Sequence, residues 1–197
     1  MDQDNFVFGY GSLVNLSNLE RYLGRELILD VDFFICGLHN YRRCWNVAMN
    51  NNLDLPNYKY YRDRISGNRP NYFVTFINIR SAQDNTIFGI LFKVSPAELE
   101  NLDQRERNYH RIDITNELNI NIEGKAWTYL GLASAKQRYQ TGLQKHSAVI
   151  SSNYFNLVRD AYFSLGDRYW HSYMATTDQP EIPIVDLEVY RVNKLNI

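Results

Sequence analysis

Two short segments carry residues able to do chemistry. The first is Leu102-Asp103-Gln104-Arg105-Glu106-Arg107-Asn108-Tyr109-His110-Arg111, with carboxylates at Asp103 and Glu106. Spaced i, i+3, the two can share one face of a helix, where a positioned carboxylate can act as general acid or base. The simpler reading is an exposed, ion-paired helix end, and the charge pattern alone favours it. An acid at a helix C-terminus is mildly opposed by the helix dipole, which points to some role other than stability. The second segment is Gly9-Tyr10-Gly11-Ser12. It matches neither G-x-G-x-x-G nor G-x-S-x-G, so Ser12 is a poor candidate for an elbow nucleophile. A tight turn between strand and helix accounts for it. Such a turn also lets backbone amides approach a ligand, and successive amides can hold a carboxylate or phosphate.

Other candidates are weaker. His39, His110, His146 and His171 lack metal-ligand spacing, and neither Cys36 nor Cys44 has a C-x₂-C partner, so no metal is expected. Cys36 and His39 fall three apart on a strand and point to opposite faces, leaving Cys36 as a small buried hydrophobe. Tyr58-Lys59-Tyr60-Tyr61-Arg62-Asp63-Arg64, continuing to Arg69, is basic and aromatic. Bases could stack there, but a solvated loop over a pocket mouth explains it with less. In Tyr41-Arg42-Arg43-Cys44-Trp45-Asn46, Trp45 is expected in the core and one arginine in solvent.

The elements that must position these residues follow from pattern. Asn5 to Tyr10 reads as a strand ending at a glycine turn. Ser17-Asn18-Leu19-Glu20 reads as a capping box for a helix to Leu23, stopped by Gly24. Strands are predicted over 26–38, 41–48, 72–79, 86–94, 111–118 and 126–132, with an Asn-rich, irregular stretch over 50–71. Ser95-Pro96-Ala97-Glu98 is the clearest helix start, with its end near Arg105 or Glu106. Further helices are predicted from Ser134 to Gly142, from Ser152 to Leu165 with Gly166 as stop, and from Arg168 to Met174, before a last strand over 182–192. Tyr154, Leu157, Val158, Ala161, Tyr162 and Leu165 form the apolar stripe of the longest helix. Strands clustered mid-chain without strict helix alternation argue for an α+β class, a small, mixed, largely antiparallel β-barrel surrounded by helices.

Composition bounds the function. The 197 residues are 45% hydrophobic and 22% charged, as in an ordinary globular domain. One domain over 1–197 is expected, with 167–197 as a C-terminal extension. Lys plus Arg is 21 against 22 for Asp plus Glu, so no basic field exists to hold nucleic acid or an anionic membrane. No apolar run approaches the ~18 residues of a membrane span. The acidic, polar start is unlike a secretory leader, and two cysteines are too few for a disulfide scaffold. A cytoplasmic location is expected. The 15 tyrosines allow either a large core or a pocket rich in hydroxyls.

Taken together, Phe8-Gly9-Tyr10-Gly11-Ser12-Leu13 and, about ninety residues later, Leu102-Asp103-x-Arg105-Glu106 resemble the gamma-glutamylcyclotransferase-like family, which includes the ChaC proteins. The likeness spans about residues 5–165 and takes in Gly37 to Trp45. It implies a small mixed barrel with helices around it and neither metal nor organic cofactor. It also implies that Tyr10, Gly11, Ser12 and Leu13 cradle a glutamyl group through backbone amides, that Glu106 is the acid/base, and that Tyr109 and Tyr139 orient substrate. The implied reaction is attack by the α-amine of a γ-glutamyl group on its own γ-carbonyl, giving 5-oxoproline and the freed amine. The nucleophile lies within the substrate, so no catalytic Ser, Cys or metal is needed. Orientation can supply up to ~7–11 kcal/mol in favourable intramolecular cases. A partly buried Glu106 would have a raised pKa, suited to both taking and returning the proton. The leaving group stays open among glutathione's Cys-Gly, a free amino acid and an amine, with the 56–71 loop as the place where such differences would sit. Competing readings are a non-catalytic binder of a small carboxylate or amino-acid derivative, an enzyme for another γ-glutamyl amide, and an RNA-binding protein. A binding-only pocket, however, gains nothing from a carboxylate beside a carboxylate ligand.

Overall fold

Strand β1 (Asn5–Gly9) is buried over most of its length and lies inside a sheet, antiparallel to β4 (Phe73–Val94) and parallel to β6 (Lys125–Gly131). The computed structural model describes residues 3–55 and 58–191. Met1-Asp2 of the acidic start, Pro56-Asn57 of the irregular stretch, and the end of the last predicted strand from Val192 onward lie outside the described residues. Among the described residues the fold is a mixed α+β arrangement of nine strands and five α-helices, with the antiparallel ladders dominant.

Two long strands organise it. β2 (Phe33–Asn50) pairs antiparallel with β4 along nearly the whole of both. The predicted strand pairs 26–38 with 41–48, and 72–79 with 86–94, thus merge into single bent strands. The bend falls where His39 faces Thr86 but Tyr41 faces Ser81, so residues 82–85 stand opposite Asn40 alone. Asn40 and Asp84 take positive φ there, at 64° and 61°, a conformation that Asn and Asp tolerate better than most side chains. Residues 26–32 form a turn rather than strand, with Asp30 also at positive φ and its N–H bonded to the Phe33 carbonyl.

β2 occupies one edge of β4 throughout. The other edge is shared: β1 covers Ile90–Val94, and β7 (Ala148–Ser151) pairs in parallel with Phe73 and Val74. Between them the edge of β4 has no strand partner. β5 (Tyr109–Asp113) pairs with β6, and a bridge from Leu118 to Leu38 brings the chain after β5 back to β2. Asn119 reinforces this return: its N–H donates to the Gly37 carbonyl and its Oδ1 accepts from the Gly37 N–H. The strand order is thus β5-β6-β1-β4-β7, with β2 beside β4, and the bridge links the segment after β5 to β2.

Helices surround the sheet. α1 (Leu16–Leu23) is capped by Asn15, whose Oδ1 accepts from Asn18 N–H, rather than by Ser17. α2 (Pro96–Arg105) starts as predicted, with Ser95 and Glu98 exchanging both capping-box bonds. α3 (Ala133–Gln144) begins at Ala133 without a side-chain cap. α4 (Ser152–Ser164) and α5 (Asp167–Ala175) pack together through the stacked rings of Tyr162 and Tyr173, 4.5 Å apart. The irregular stretch contains β3 (Lys59–Asp63), which pairs antiparallel with β9 (Leu187–Arg191). Asn51, fully buried, organises it by bonding Tyr61 N–H and the Tyr61 and Pro70 carbonyls. A two-residue strand, β8 (Ile184–Val185), joins β7. No described helix is long and apolar enough to cross a membrane.

Candidate active site

The open stretch of the β4 edge is where the two sequence segments meet. After β1 the chain turns at Gly9 to Gly11 and makes a single 3₁₀ turn over Ser12–Val14 before α1. The first N–H groups of such a turn have no acceptor inside it. The turn sits tightly against the sheet: a Cβ on Gly11 would stand 2.6 Å from Ile77 Cγ2, so only glycine fits without movement. From the other side, α2 ends at Glu106, whose N–H closes the helix onto the Leu102 carbonyl at 2.9 Å. The Tyr109 N–H returns to the Glu106 carbonyl at 2.8 Å and starts β5.

A small pocket results, lined by Tyr10 to Leu13, Glu106 and Tyr109, with Tyr129 and Tyr154 completing its wall. Five of the six substrate-side residues expected from the sequence therefore surround the expected acid/base. Tyr139 does not. It lies on α3, with Cys44 and Glu181 as its electrostatic neighbours, and lines no cavity that Glu106 lines. Tyr154, read from the sequence as part of the apolar stripe, packs against the core and also lines the pocket.

The i, i+3 carboxylates divide the two roles considered for them. Asp103 makes the outward ion pair, to Arg111 Nη1 at 2.9 Å, and accepts from the Tyr129 hydroxyl at 2.8 Å. Glu106 turns inward, its side chain only 17% exposed. Burial raises its pKa above the usual carboxylate range, and the charges of Arg105 and Lys59 oppose that rise. Arg105 Nε lies 3.5 Å from its carboxylate. Lys59, from β3, sits with its ammonium 4.0 Å from the centre of the Phe76 ring. Burial pulls its pKa down to about 8, and the Glu106 charge opposes that fall.

The tyrosines are neutral donors. Burial pushes the hydroxyls of Tyr10, Tyr109, Tyr129 and Tyr154 well above their ordinary value, with neighbouring acids and phenols adding to it. Tyr109 donates to the Ile77 carbonyl at 2.7 Å, satisfying the exposed edge of β4. Tyr10 donates to the Tyr129 carbonyl at 2.6 Å. Above the pocket, Arg138 of α3 bonds Asn108, and Asn108 bonds the Tyr58 hydroxyl, so the β3 ribbon is tied over the mouth.

Beneath the turn lies Arg43, fully buried although Arg42 beside it is solvent-facing and paired with Asp178. Its Nε donates to the Tyr10 carbonyl at 3.1 Å and its Nη1 to Thr176 Oγ1 at 3.0 Å. Its Nη2 meets the Phe88 carbonyl and the Tyr162 hydroxyl. Rings of Tyr162 and Tyr173 flank it, at 4.6 and 5.4 Å. Among the described residues no carboxylate pairs with it. Nothing in the local sequence separates Arg43 from Arg42 except strand alternation, which is the one signal that would have assigned them opposite faces. Cys36 and Cys44 are both buried, and burial raises their thiols to about 12 and about 11, so neither is a thiolate nucleophile. No group of His, Cys, Asp and Glu among the described residues could hold a metal ion.

Comparison with known proteins agrees with this geometry at the level of family. The family model for gamma-glutamyl cyclotransferase, AIG2-like, matches residues 7–154, which includes both the turn and the end of α2. No curated protein matches the chain. Among solved structures, a gamma-glutamyl cyclotransferase is 13% identical and covers 73% of this chain and 80% of its own, with a TM-score of 0.44. A yeast cyclotransferase described as specific to glutathione is 11% identical and covers 88% and 97%, at 0.45. An Arabidopsis thaliana protein solved in solution is 16% identical and covers 84% and 95%, at 0.43. These likenesses are distant, and it is the family model, matching most of the chain, that assigns it: the protein belongs to the gamma-glutamyl cyclotransferase, AIG2-like family.

Proposed function

We propose that the protein is a γ-glutamyl cyclotransferase, converting a γ-glutamyl amide to 5-oxoproline and the freed amine, with Glu106 as general acid/base. The observation that carries this reading is the inward-turned Glu106, desolvated and facing the Gly9–Leu13 turn across one small pocket.

The chemistry uses groups already in place. The glutamyl α-carboxylate or the developing oxyanion would meet the amides of Gly11, Ser12 and Leu13, as preorganised donors whose dipoles need no reorganisation during reaction. Arg43 and Tyr162 hold the Tyr10 carbonyl away from the pocket. In a trans peptide the following N–H points the opposite way, so the Gly11 N–H faces substrate. Glu106 takes a proton from the α-ammonium, the free amine attacks the γ-carbonyl, the ring nitrogen sheds its second proton to water, and Glu106 returns its proton to the departing nitrogen as the C–N bond breaks. A carboxylate with a raised pKa suits both transfers, and such catalysis is worth roughly 10²–10⁴-fold. Tyr109 and Tyr154 offer neutral hydroxyls at the curled substrate chain.

The test is release of 5-oxoproline, quantified by mass spectrometry, from glutathione, several γ-glutamyl dipeptides and several γ-glutamyl amines, with Glu106→Gln alongside. Release from a substrate, lost in the folded variant, supports the proposal. Equal turnover by the variant removes Glu106 from the mechanism, and no release from any member of the panel removes the activity.

A further inference from the structure

Next to the Glu106 pocket is a second recess, reached past Glu106 and Tyr109 and opening toward solvent. Lys59, Arg105 and Arg107 line it beside Glu106, its one acid among the described residues, and the same three cations also line an adjoining wider cavity, to which Arg191 belongs. Two features show that these cations are not arranged for the stability of the fold. Lys59 and Arg191 are direct partners in the β3–β9 ladder. Like charges directly opposite each other in an antiparallel pair are destabilising. Arg105 places Nη1 in a buried position where no hydrogen-bond acceptor meets it, although a buried donor without a partner is costly. Its remaining contacts are Glu106 at 3.5 Å and the face of Tyr22 at 4.7 Å from the ring centre. An anion in the recess would offset the Lys59–Arg191 repulsion and give the Arg105 guanidinium an acceptor.

The order of the pockets fixes which part of a substrate that anion belongs to. The first pocket holds the Tyr10–Leu13 turn with Glu106, and the recess shares Ser12, Glu106, Tyr109 and Tyr154 with it before leading on to Lys59 and Arg105. With the glutamyl group held at the turn and the scissile nitrogen at Glu106, the leaving group extends into the recess. Resting on the cyclotransferase reading, we propose that Lys59, Arg105 and Arg191 form a carboxylate subsite for the leaving group. The preferred substrates are then γ-glutamyl amino acids or peptides with a free carboxylate. γ-Glutamyl amines, whose leaving group has no negative charge and becomes a cation on release, are disfavoured.

The experiment compares matched pairs that differ only in that charge: γ-glutamylalanine, γ-glutamylphenylalanine and glutathione, each against its C-terminal amide, with 5-oxoproline as readout. The acids should exceed their amides in kcat/KM by about tenfold or more, the range expected of a charge-assisted hydrogen bond. Arg105→Gln and, separately, Arg191→Gln should each cut the acid-to-amide ratio several-fold. Both members of a pair use the same Glu106, so any change in its proton affinity cancels in the ratio. Raising salt from about 50 to 500 mM should lower the ratio as well, since screening weakens an exposed subsite; this arm needs no variant to fold. Release from acids and amides at equal rates overturns the subsite while leaving the cyclotransferase reading intact. A ratio unmoved by both variants and by salt overturns the assignment of these residues. No release from any pair overturns the cyclotransferase reading, and the subsite with it.

Discussion

Arg43 Nε donates to the Tyr10 carbonyl at 3.1 Å from beneath the Gly9–Leu13 turn, and this bond couples a fully buried cation to the backbone that faces the pocket. The Tyr162 hydroxyl donates to the same carbonyl at 3.0 Å. The turn is thus held from the core side by two donors. A buried guanidinium without a carboxylate is costly unless its N–H groups are met, and here two carbonyls, two hydroxyls and two ring faces meet it.

Replacing Arg43 should therefore damage both fold and turnover. Arg43→Met strips donors from the Tyr10 and Phe88 carbonyls, and destabilisation of about 2–4 kcal/mol is expected from lost charge-assisted bonds and poorly satisfied carbonyls. Urea denaturation measures it. Arg43→Lys should recover only part, because one ammonium cannot reach Tyr10, Phe88 and Thr176 together. A Lys variant as stable as the wild type would show that the planar fork is not what holds the turn.

Glu106→Gln should lose about 10²–10⁴ in kcat and gain stability at neutral pH. The sign follows from linkage. The folded state raises the Glu106 pKa above its unfolded value near 4.5, so it favours the protonated form. Wild-type stability is then highest below that unfolded value and falls as pH rises through the folded pKa. The amide mimics the protonated acid. Its melting temperature should exceed the wild type's at pH 7, by about 2–4 °C for each kcal/mol gained, and match it at pH 4. A lower melting temperature at pH 7 would mean that the carboxylate is stabilised in the pocket rather than strained there.

Lys59→Met should move the acid limb of the kcat profile to higher pH. The Lys59 ammonium lowers the Glu106 pKa, opposing the larger effect of burial. Without it Glu106 holds its proton to higher pH, and the ionised base is reached later. Lys59 itself gives up its charge near pH 8, so its influence on the wild type belongs to the range below that. Rate profiles from pH 4 to 8 on a neutral-leaving-group substrate separate this effect from carboxylate binding. An unshifted limb would remove Lys59 from the electrostatics of Glu106.

Two tyrosine variants discriminate the pocket seen in the structure from the one expected from the sequence. Tyr154→Phe removes a hydroxyl at the pocket wall and should lower kcat/KM by about fivefold to a hundredfold, the range of one buried hydrogen bond made to substrate. Tyr139→Phe should have the smaller effect of the two, because α3 carries Tyr139 away from Glu106. A larger loss with Tyr139→Phe in steady-state kinetics would require α3 to move on substrate binding.

What was legible in the sequence was short-range. The strand ending at Gly9, the Ser95–Glu98 capping box and the stop at Gly166 all depend on residues within one turn of each other, and each element forms where its signal lies. Boundaries went astray where a long-range partner outweighed the local signal. The bends at Asn40 and Asp84 hide one continuous strand pair, and β3 forms in an Asn-rich stretch because β9, more than a hundred residues later, supplies its ladder.

The sequence by itself determined the chemistry available: a glycine turn and a helix-end carboxylate. These are matters of residue type and local spacing. Tertiary structure decided which groups meet. Asp103 and Glu106 are equivalent as an i, i+3 pair, and only the packing of α2 against β1 and β4 sends one to Arg111 and the other into the pocket. Arg42 and Arg43 are adjacent in sequence, yet one faces solvent and the other sits under the turn. Lys59 and Arg191 become neighbours only through the β3–β9 ladder. In each case the deciding quantity is desolvation, which is set by elements distant in the chain and is invisible in the local sequence.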